Sequence, residues 1–113
     1  MRLFDLHCDT IYECYQKGEC LAHNNCAVDI GRGSIRYQPW IQVFAVWIPD
    51  TVRGEQAWHQ CHDMILYAQK QARRSANGFC FAKTHEDVLK AFLQKQSVGL
   101  LAVESGAALG GIS

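Results

Sequence analysis

Apolar residues along this chain fall into two alternating patterns. Residues 3–8 form a short apolar-rich run suited to a strand. Over 10–17 the period changes: Ile11, Cys14, Tyr15 and Gly18 recur at three- and four-residue steps, which predicts a helix that either Asp9 or Thr10 can cap and Gly18 closes. Residues 19–38, with Gly31, Gly33, Asn24, Asn25 and Ser34, read as a loop. Residues 40–48 are an almost unbroken apolar run between Pro39 and Pro49. An alternating strand would have one wet face, whereas a continuous one has both faces covered. A long helix is expected over 55–74, its apolar stripe drawn by Trp58, Cys61, Ile65, Ala68 and Ala72 and its end marked by Asn77-Gly78. A brief strand at 79–82 precedes a second helix, in which Thr84 and Asp87 make a capping box and Val88, Leu89, Phe92 and Leu93 form the buried face. Residues 98–103 are another buried strand, ending on Glu104.

Strands alternating with helices predict an α/β fold with a parallel sheet. The chain reads as one unit, with no repeat, low-complexity tract or linker. A complete (β/α)₈ barrel takes about 250 residues, so 113 residues are expected to form part of a TIM-like barrel: its first three parallel strands with flanking helices. Composition agrees with a packed core, 49% of residues being hydrophobic and 19% charged. Eleven basic residues balance eleven acidic ones, which gives no electrostatic case for nucleic acid or an anionic membrane as partner. No apolar run approaches a membrane span, and the opening Met1-Arg2-Leu3-Phe4-Asp5 lacks the apolar stretch of a signal peptide. A cytoplasmic location is the expectation.

Six cysteines, four of them spaced by six residues (Cys8, Cys14, Cys20 and Cys26), invite a zinc or disulfide reading. Structural zinc sites draw ligands in close pairs such as C-x-x-C, and none occurs here. In a reducing compartment the expected role is that of small buried hydrophobes. A structural zinc site on Cys14, Cys20 and Cys26 is the rival.

Two constellations can carry chemistry. In His7-Cys8-Asp9, residues two apart on a strand project from the same face, about 6.6 Å apart along it, so both side chains can close on one metal ion. Alone the pattern is weak, and its bland alternative is a solvated histidine with an aspartate capping the next helix. Its position at the C-terminal end of a first strand, where barrel active sites lie, strengthens it. Glu104 puts a carboxylate at the tip of a strand otherwise buried, where an unpaired charge is costly and a metal ion would satisfy it. Its alternative is an exposed cap on the turn that follows. The remaining histidines are less promising: His59 and His62 lie on the polar side of the long helix, His85 in a first turn, and His23 in the loop. Arg32 and Arg36 are candidates for a substrate carboxylate, with plain solvation as the alternative.

Phe4-Asp5-Leu6-His7-Cys8-Asp9-Thr10 resembles the opening strand of the membrane (renal-type) dipeptidases, whose D-x-H-x-D supplies the first metal ligands. Ile41-Gln42-Val43-Phe44-Ala45-Val46-Trp47, preceded by Val28-Asp29, is similar to the family's second strand. Gly99-Leu100-Leu101-Ala102-Val103-Glu104-Ser105-Gly106 resembles its third, with Ser105 in place of the first glycine of E-G-G. The resemblance implies that His7 and Asp9 bind one zinc ion and that Glu104 bridges it to a second. It implies zinc-dependent hydrolysis of dipeptides, including ones with a D-residue at the C-terminal position. The family's second zinc also takes two histidines from later strands, and a later aspartate assists the chemistry. With one plausible zinc, the isolated chain is expected to be inactive. Its exposed sheet edges are expected to pair with another copy or with a C-terminal portion. The alternative is a truncated, non-catalytic metal-binding or assembly module.

Overall fold

The computed structural model describes residues 1–75 and 78–110. Four strands, β1 (Leu3–Asp5), β2 (Trp40–Val46), β3 (Phe79–Phe81) and β4 (Ser97–Val103), form one sheet in the order β1-β2-β4-β3. Every pairing is parallel. The helices are α1 (Thr10–Lys17), α2 (Ile30–Arg36), α3 (Gly54–Arg74) and α4 (His85–Leu93), and a 3₁₀ turn spans Gly106–Leu109. This is the expected α/β architecture, with β1 and β3 as open edges and the barrel not closed. The brief strand β3 pairs on the far side of β4, Phe79 opposite Ser97 and Phe81 opposite Gly99.

The unbroken apolar run of β2 has the predicted consequence. Trp40, Gln42, Phe44, Ala45 and Val46 are all buried. Alternate positions feed different clusters, as period-two geometry requires. Phe44, Val46 and Leu101 pack with Ile11 and Cys14 of α1 and Cys61, Met64 and Ala68 of α3. Ile41, Val98 and Leu100 pack with Val88 and Ala91 of α4. The sheet is therefore covered on both faces.

Several local expectations are corrected. The stripe of α3 is turned slightly from the one read in the sequence. Ala57, Cys61, Met64 and Ala68 are its buried residues, Ile65 and Ala72 flank them, and Trp58 is 47% exposed. The small Ala57 and Ala68 let the helix approach the sheet, which the bulk of Trp58 would prevent. Trp58 instead stacks on His62 with ring centroids 5.4 Å apart. Helix α3 ends on Arg74 with Ser75 as its cap, and Asn77 lies outside the described residues. In α4 the Thr84–Asp87 capping box is present, but Ala91 is its buried residue, while Leu89 and Leu93 are exposed. Ala91 seats the helix over Ala82 and Val98 near the β3 edge, which leaves the larger side chains outside.

The largest difference is α2, formed within residues read as a loop. Gly31 and Gly33 hid it, since glycine costs about 1 kcal/mol in a helix interior. Gly33 is kept for space: a Cβ there would lie 2.3 Å from the Trp40 ring. The starting signal is Asp29, the N-cap, whose Oδ1 accepts from the Arg32 backbone N–H at 2.6 Å while Oδ2 takes the Arg32 Nε–H at 2.7 Å. Arg32 also donates to the Cys26 carbonyl at 2.7 Å, so its guanidinium is tied into the fold on one side although the side chain is 56% exposed.

Burial alone would push the Asp29 carboxyl up, but the Arg32 N–H and guanidinium and the Asn24 N–H together hold it below its ordinary value of 3.8. A folded-state value below the unfolded one contributes stability that is present above about pH 4 and is lost as pH falls through the folded value. Asp29→Ala is expected to cost about 2 kcal/mol at pH 7, from the lost cap and the broken buried hydrogen bonds. Urea denaturation of both proteins at pH 7 and pH 3 checks this, the gap narrowing at the lower pH. An equal gap at both would refute the linkage.

Candidate metal centre

Strand β1 stops at Asp5, three residues earlier than the apolar run suggested. Asp5 pairs with Gln42, but the next link is made by Cys8. Its N–H donates to the Val43 carbonyl at 3.1 Å and its carbonyl accepts from the Ala45 N–H at 2.9 Å. Cys8 therefore lies opposite Phe44, and the β1 side carries one extra residue. Such a bulge re-aims side chains, and bulges gather beside active sites. His7 thus does not stand on a regular strand, and the alternation argument that paired it with Asp9 is replaced by this local distortion.

The outcome still brings the two together. His7 Nε2 lies 3.2 Å from Asp9 Oδ1 and 3.9 Å from Glu104 Oε2. One ligand atom from each of His7, Asp9 and Glu104 falls within 4.8 Å of the others. Asp9 occupies the N-cap position of α1 but makes no side-chain cap bond. Its carboxylate is free to face His7, and the capping alternative falls. Thr10, the other candidate cap, is the first residue of the helix and is buried.

Glu104 is held by its backbone. Its N–H donates to the Val46 carbonyl at 3.1 Å, extending the β2–β4 ladder one step beyond Val46 and Val103. Its side chain is 45% exposed, so the argument from a buried unpaired charge does not apply. What remains is mutual: two carboxylates converge on one imidazole, and a cation between them would relieve their repulsion. Ser105 has φ −113° and ψ 133°, backbone that any residue adopts, and its Oγ caps the 3₁₀ turn by accepting from the Ala107 N–H. Serine at this position therefore distorts nothing.

Below the site a buried polar chain fixes β1 against β2. Gln42 Nε2 donates to Asp5 Oδ2 at 2.6 Å, and Trp40 Nε1 donates to Gln42 Oε1 at 3.3 Å. Asp5 thus acts through strand register and does not join the three converging groups. Beside the site, Tyr12, Glu13 and Trp47 line a shallow cleft of about 230 Å³ with Asp9 and Glu104. Tyr12 and Trp47 meet edge to face, centroids 4.8 Å apart. Tyr12 and Trp47 were not singled out from the sequence, and their only signal there is aromatic residues next to strand and helix ends. His23, His59, His62 and His85 are exposed and stand outside this group. A larger cleft, about 280 Å³, includes Leu3, Asp29 and Arg36 at the opposite, N-terminal end of the strands, where barrels carry stability more than chemistry.

The donor set suits a divalent ion. One imidazole nitrogen and two carboxylates are borderline and hard donors of the kind zinc takes, and three protein ligands leave a position open for water or substrate. His7 would hold such an ion through a ring nitrogen that carries a lone pair, with Asp9 and Glu104 supplying carboxylate oxygens.

No protein-family model and no curated protein sequence matches the chain. Among solved structures, the chain is similar to the crystal structure of the dipeptidase AC, a metallopeptidase of family M19. The TM-score is 0.77 at 19% identity, over 96% of this chain and 36% of that one. The chain thus spans about a third of that protein's length, and its fold is that of part of the metallo-dipeptidase barrel.

Proposed function

We propose that residues 1–113 form the N-terminal part of a zinc-dependent dipeptidase, in which His7 and Asp9 hold one metal ion and Glu104 is placed to bridge to a second. The observation that carries this reading is the convergence of His7, Asp9 and Glu104 beyond the C-terminal ends of β1 and β4. The shared fold with a metallo-dipeptidase supports it. When bound, the metal would supply Lewis acidity toward a peptide carbonyl and a more acidic water. The chain's own residues orient the site. The Cys8 links to β2 hold the bulge that aims His7, and the Val46 carbonyl holds Glu104 at the rim. Tyr12 and Trp47 offer an apolar wall beside them, suited to a dipeptide side chain. A reducing, cytoplasmic setting belongs to the same reading and accords with six free thiols.

The reading is tested by expressing the chain together with its downstream reading frame and assaying simple dipeptides with zinc. Hydrolysis that disappears with His7→Ala or Glu104→Ala is expected. Absence of hydrolysis by the extended polypeptide, or hydrolysis indifferent to both substitutions, would favour the non-catalytic module.

Self-association is part of the proposal. β1 and β3 are edge strands, and Phe4, Leu6 and Val103 are each more than half exposed. Unpaired edges of this kind recruit further strands. Sedimentation of the 113-residue chain is expected to show a dimer or a larger species, and a strict monomer at high concentration would contradict it.

A further inference from the structure

A second group of metal-binding side chains lies apart from the strand tips, between the end of α1 and the loop that follows it. Cys14, Glu19 and Cys26 each present a ligand atom within 4.8 Å of the other two. Cys14 is fully buried, Cys26 is nearly so, and Glu19 is partly buried. Cys14 Sγ and Cys26 Sγ are 3.9 Å apart, and Cys26 Sγ lies 3.5 Å from Glu19 Oε2. A tetrahedral zinc ion with Zn–S of about 2.3 Å and Zn–O of about 2.1 Å separates two sulfurs by about 3.8 Å and a sulfur from an oxygen by about 3.6 Å. The observed edges are close to those of an assembled site.

We propose that Cys14, Cys26 and Glu19 form a second metal site, of the zinc class, with water completing the tetrahedron and a structural role in tying the 19–26 loop to α1. Bonds made mostly by other atoms of the segment already hold this loop in place, and the Cys14 Sγ–H also points at the Cys20 carbonyl at 3.8 Å. The Tyr67 hydroxyl donates to the Glu19 carbonyl, and the Leu21 N–H donates to Gln71 Oε1 at 3.1 Å, fastening the segment to α3. Asn24 Nδ2 donates to the Cys20 carbonyl at 3.0 Å, and the Cys26 N–H donates to Asn24 Oδ1 at 2.8 Å. The Asn25 N–H, at 3.3 Å, orients Glu19 Oε2. Such outer contacts pre-position ligands and lower the cost of assembling a site.

The three donors differ from the rival set of Cys14, Cys20 and Cys26 that the sequence suggested. Glu19 joins Cys14 and Cys26, while the exposed Cys20 Sγ instead donates to the His23 carbonyl at 3.0 Å. The absence of a C-x-x-C pair misled because the turn after α1 brings residues 14, 19 and 26 together without one. Burial pushes the Cys14 thiol up to about 12 and raises Cys26 as well. Metal entry must therefore displace two thiol protons, and affinity should rise with pH.

The test uses cobalt(II) as a probe on the 113-residue chain carrying His7→Ala and Glu104→Ala. Both positions are exposed, and both belong to the other site. One equivalent of cobalt with thiolate-to-metal charge-transfer absorption is expected, displaced by zinc and accompanied by a rise in melting temperature. Cys14→Ser and Cys26→Ser should each remove most of that absorption. Saturation of the chain with no thiolate band would overturn the proposal, and because this measurement uses intact cysteines it does not depend on either serine variant folding. A band that persists in both folded serine variants would overturn it too, as would a Cys14–Cys26 disulfide in place of bound metal under reducing conditions. Because the strand-tip donors are already removed, the outcome is independent of the proposed peptidase site.

Discussion

Loaded with zinc, the isolated 113-residue chain is expected to hydrolyse a simple dipeptide several orders of magnitude more slowly than the rate of about 10 per second ordinary for an enzyme. Two-metal hydrolysis needs ions about 3.5 to 4 Å apart, so that water activation and carbonyl polarisation act on the same bond. Among the described residues the strand-tip group offers three donors, enough for one ion but not for two. The Cys14–Glu19–Cys26 group is mostly buried and belongs to a different part of the chain. The first site is also open: the His7 and Asp9 side chains are 53% and 51% exposed, so bulk water would screen the ion's field. Groups that act as a unit lose most of their effect when one is missing. A discontinuous assay with His7→Ala as blank measures this. Turnover near the ordinary rate, abolished in the blank, would mean that this chain holds a self-sufficient site.

Phe44→Ala is expected to destabilise the fold by about 3 to 5 kcal/mol, the range for a fully buried aromatic residue. Phe44 is 1% exposed and meets Phe79 and Phe81 edge to face, with centroids 6.1 and 5.6 Å away. It sits in the middle of β2, between Val43 and Ala45, which clamp Cys8. The same residue thus supports the core and the bulge that aims His7. Equilibrium urea unfolding gives the value. A loss below about 1 kcal/mol would mean that the cavity collapses and that the aromatic cluster is not the centre of this core.

How much of this was legible in the sequence follows from how local each signal was. The continuous run at β2 announced a strand covered on both faces, and Thr84 with Asp87 marked the start of α4, because each depends on a few neighbouring residues. Helix α2 was hidden because Gly33 answers to Trp40, a residue on another element, and packing outweighed propensity. The buried face of α4 was misjudged because Ala91, not the larger Phe92 or Leu93, meets the sheet. At the candidate site the sequence named three residues whose side chains do converge, but it did not give their geometry. The H-x-D spacing pointed to a regular strand, whereas a one-residue bulge after Asp5 does the aiming. Of the Cys14–Glu19–Cys26 group the rival zinc reading named the two cysteines, with Cys20 as third; Glu19 escaped because no short spacing marks it and only the fold of the 18–29 segment brings it to them.

The central claim is that His7, Asp9 and Glu104 hold one divalent ion. Anomalous scattering at the zinc edge, from crystals of the wild-type chain grown with zinc, tests it most directly, because the strand-tip position and the cysteine position are resolved separately. The expected result is a zinc peak about 2.0 to 2.2 Å from a His7 ring nitrogen and from carboxylate oxygens of Asp9 and Glu104. A map with no peak there, and with the Glu104 carboxylate turned away from His7 and Asp9, would contradict it.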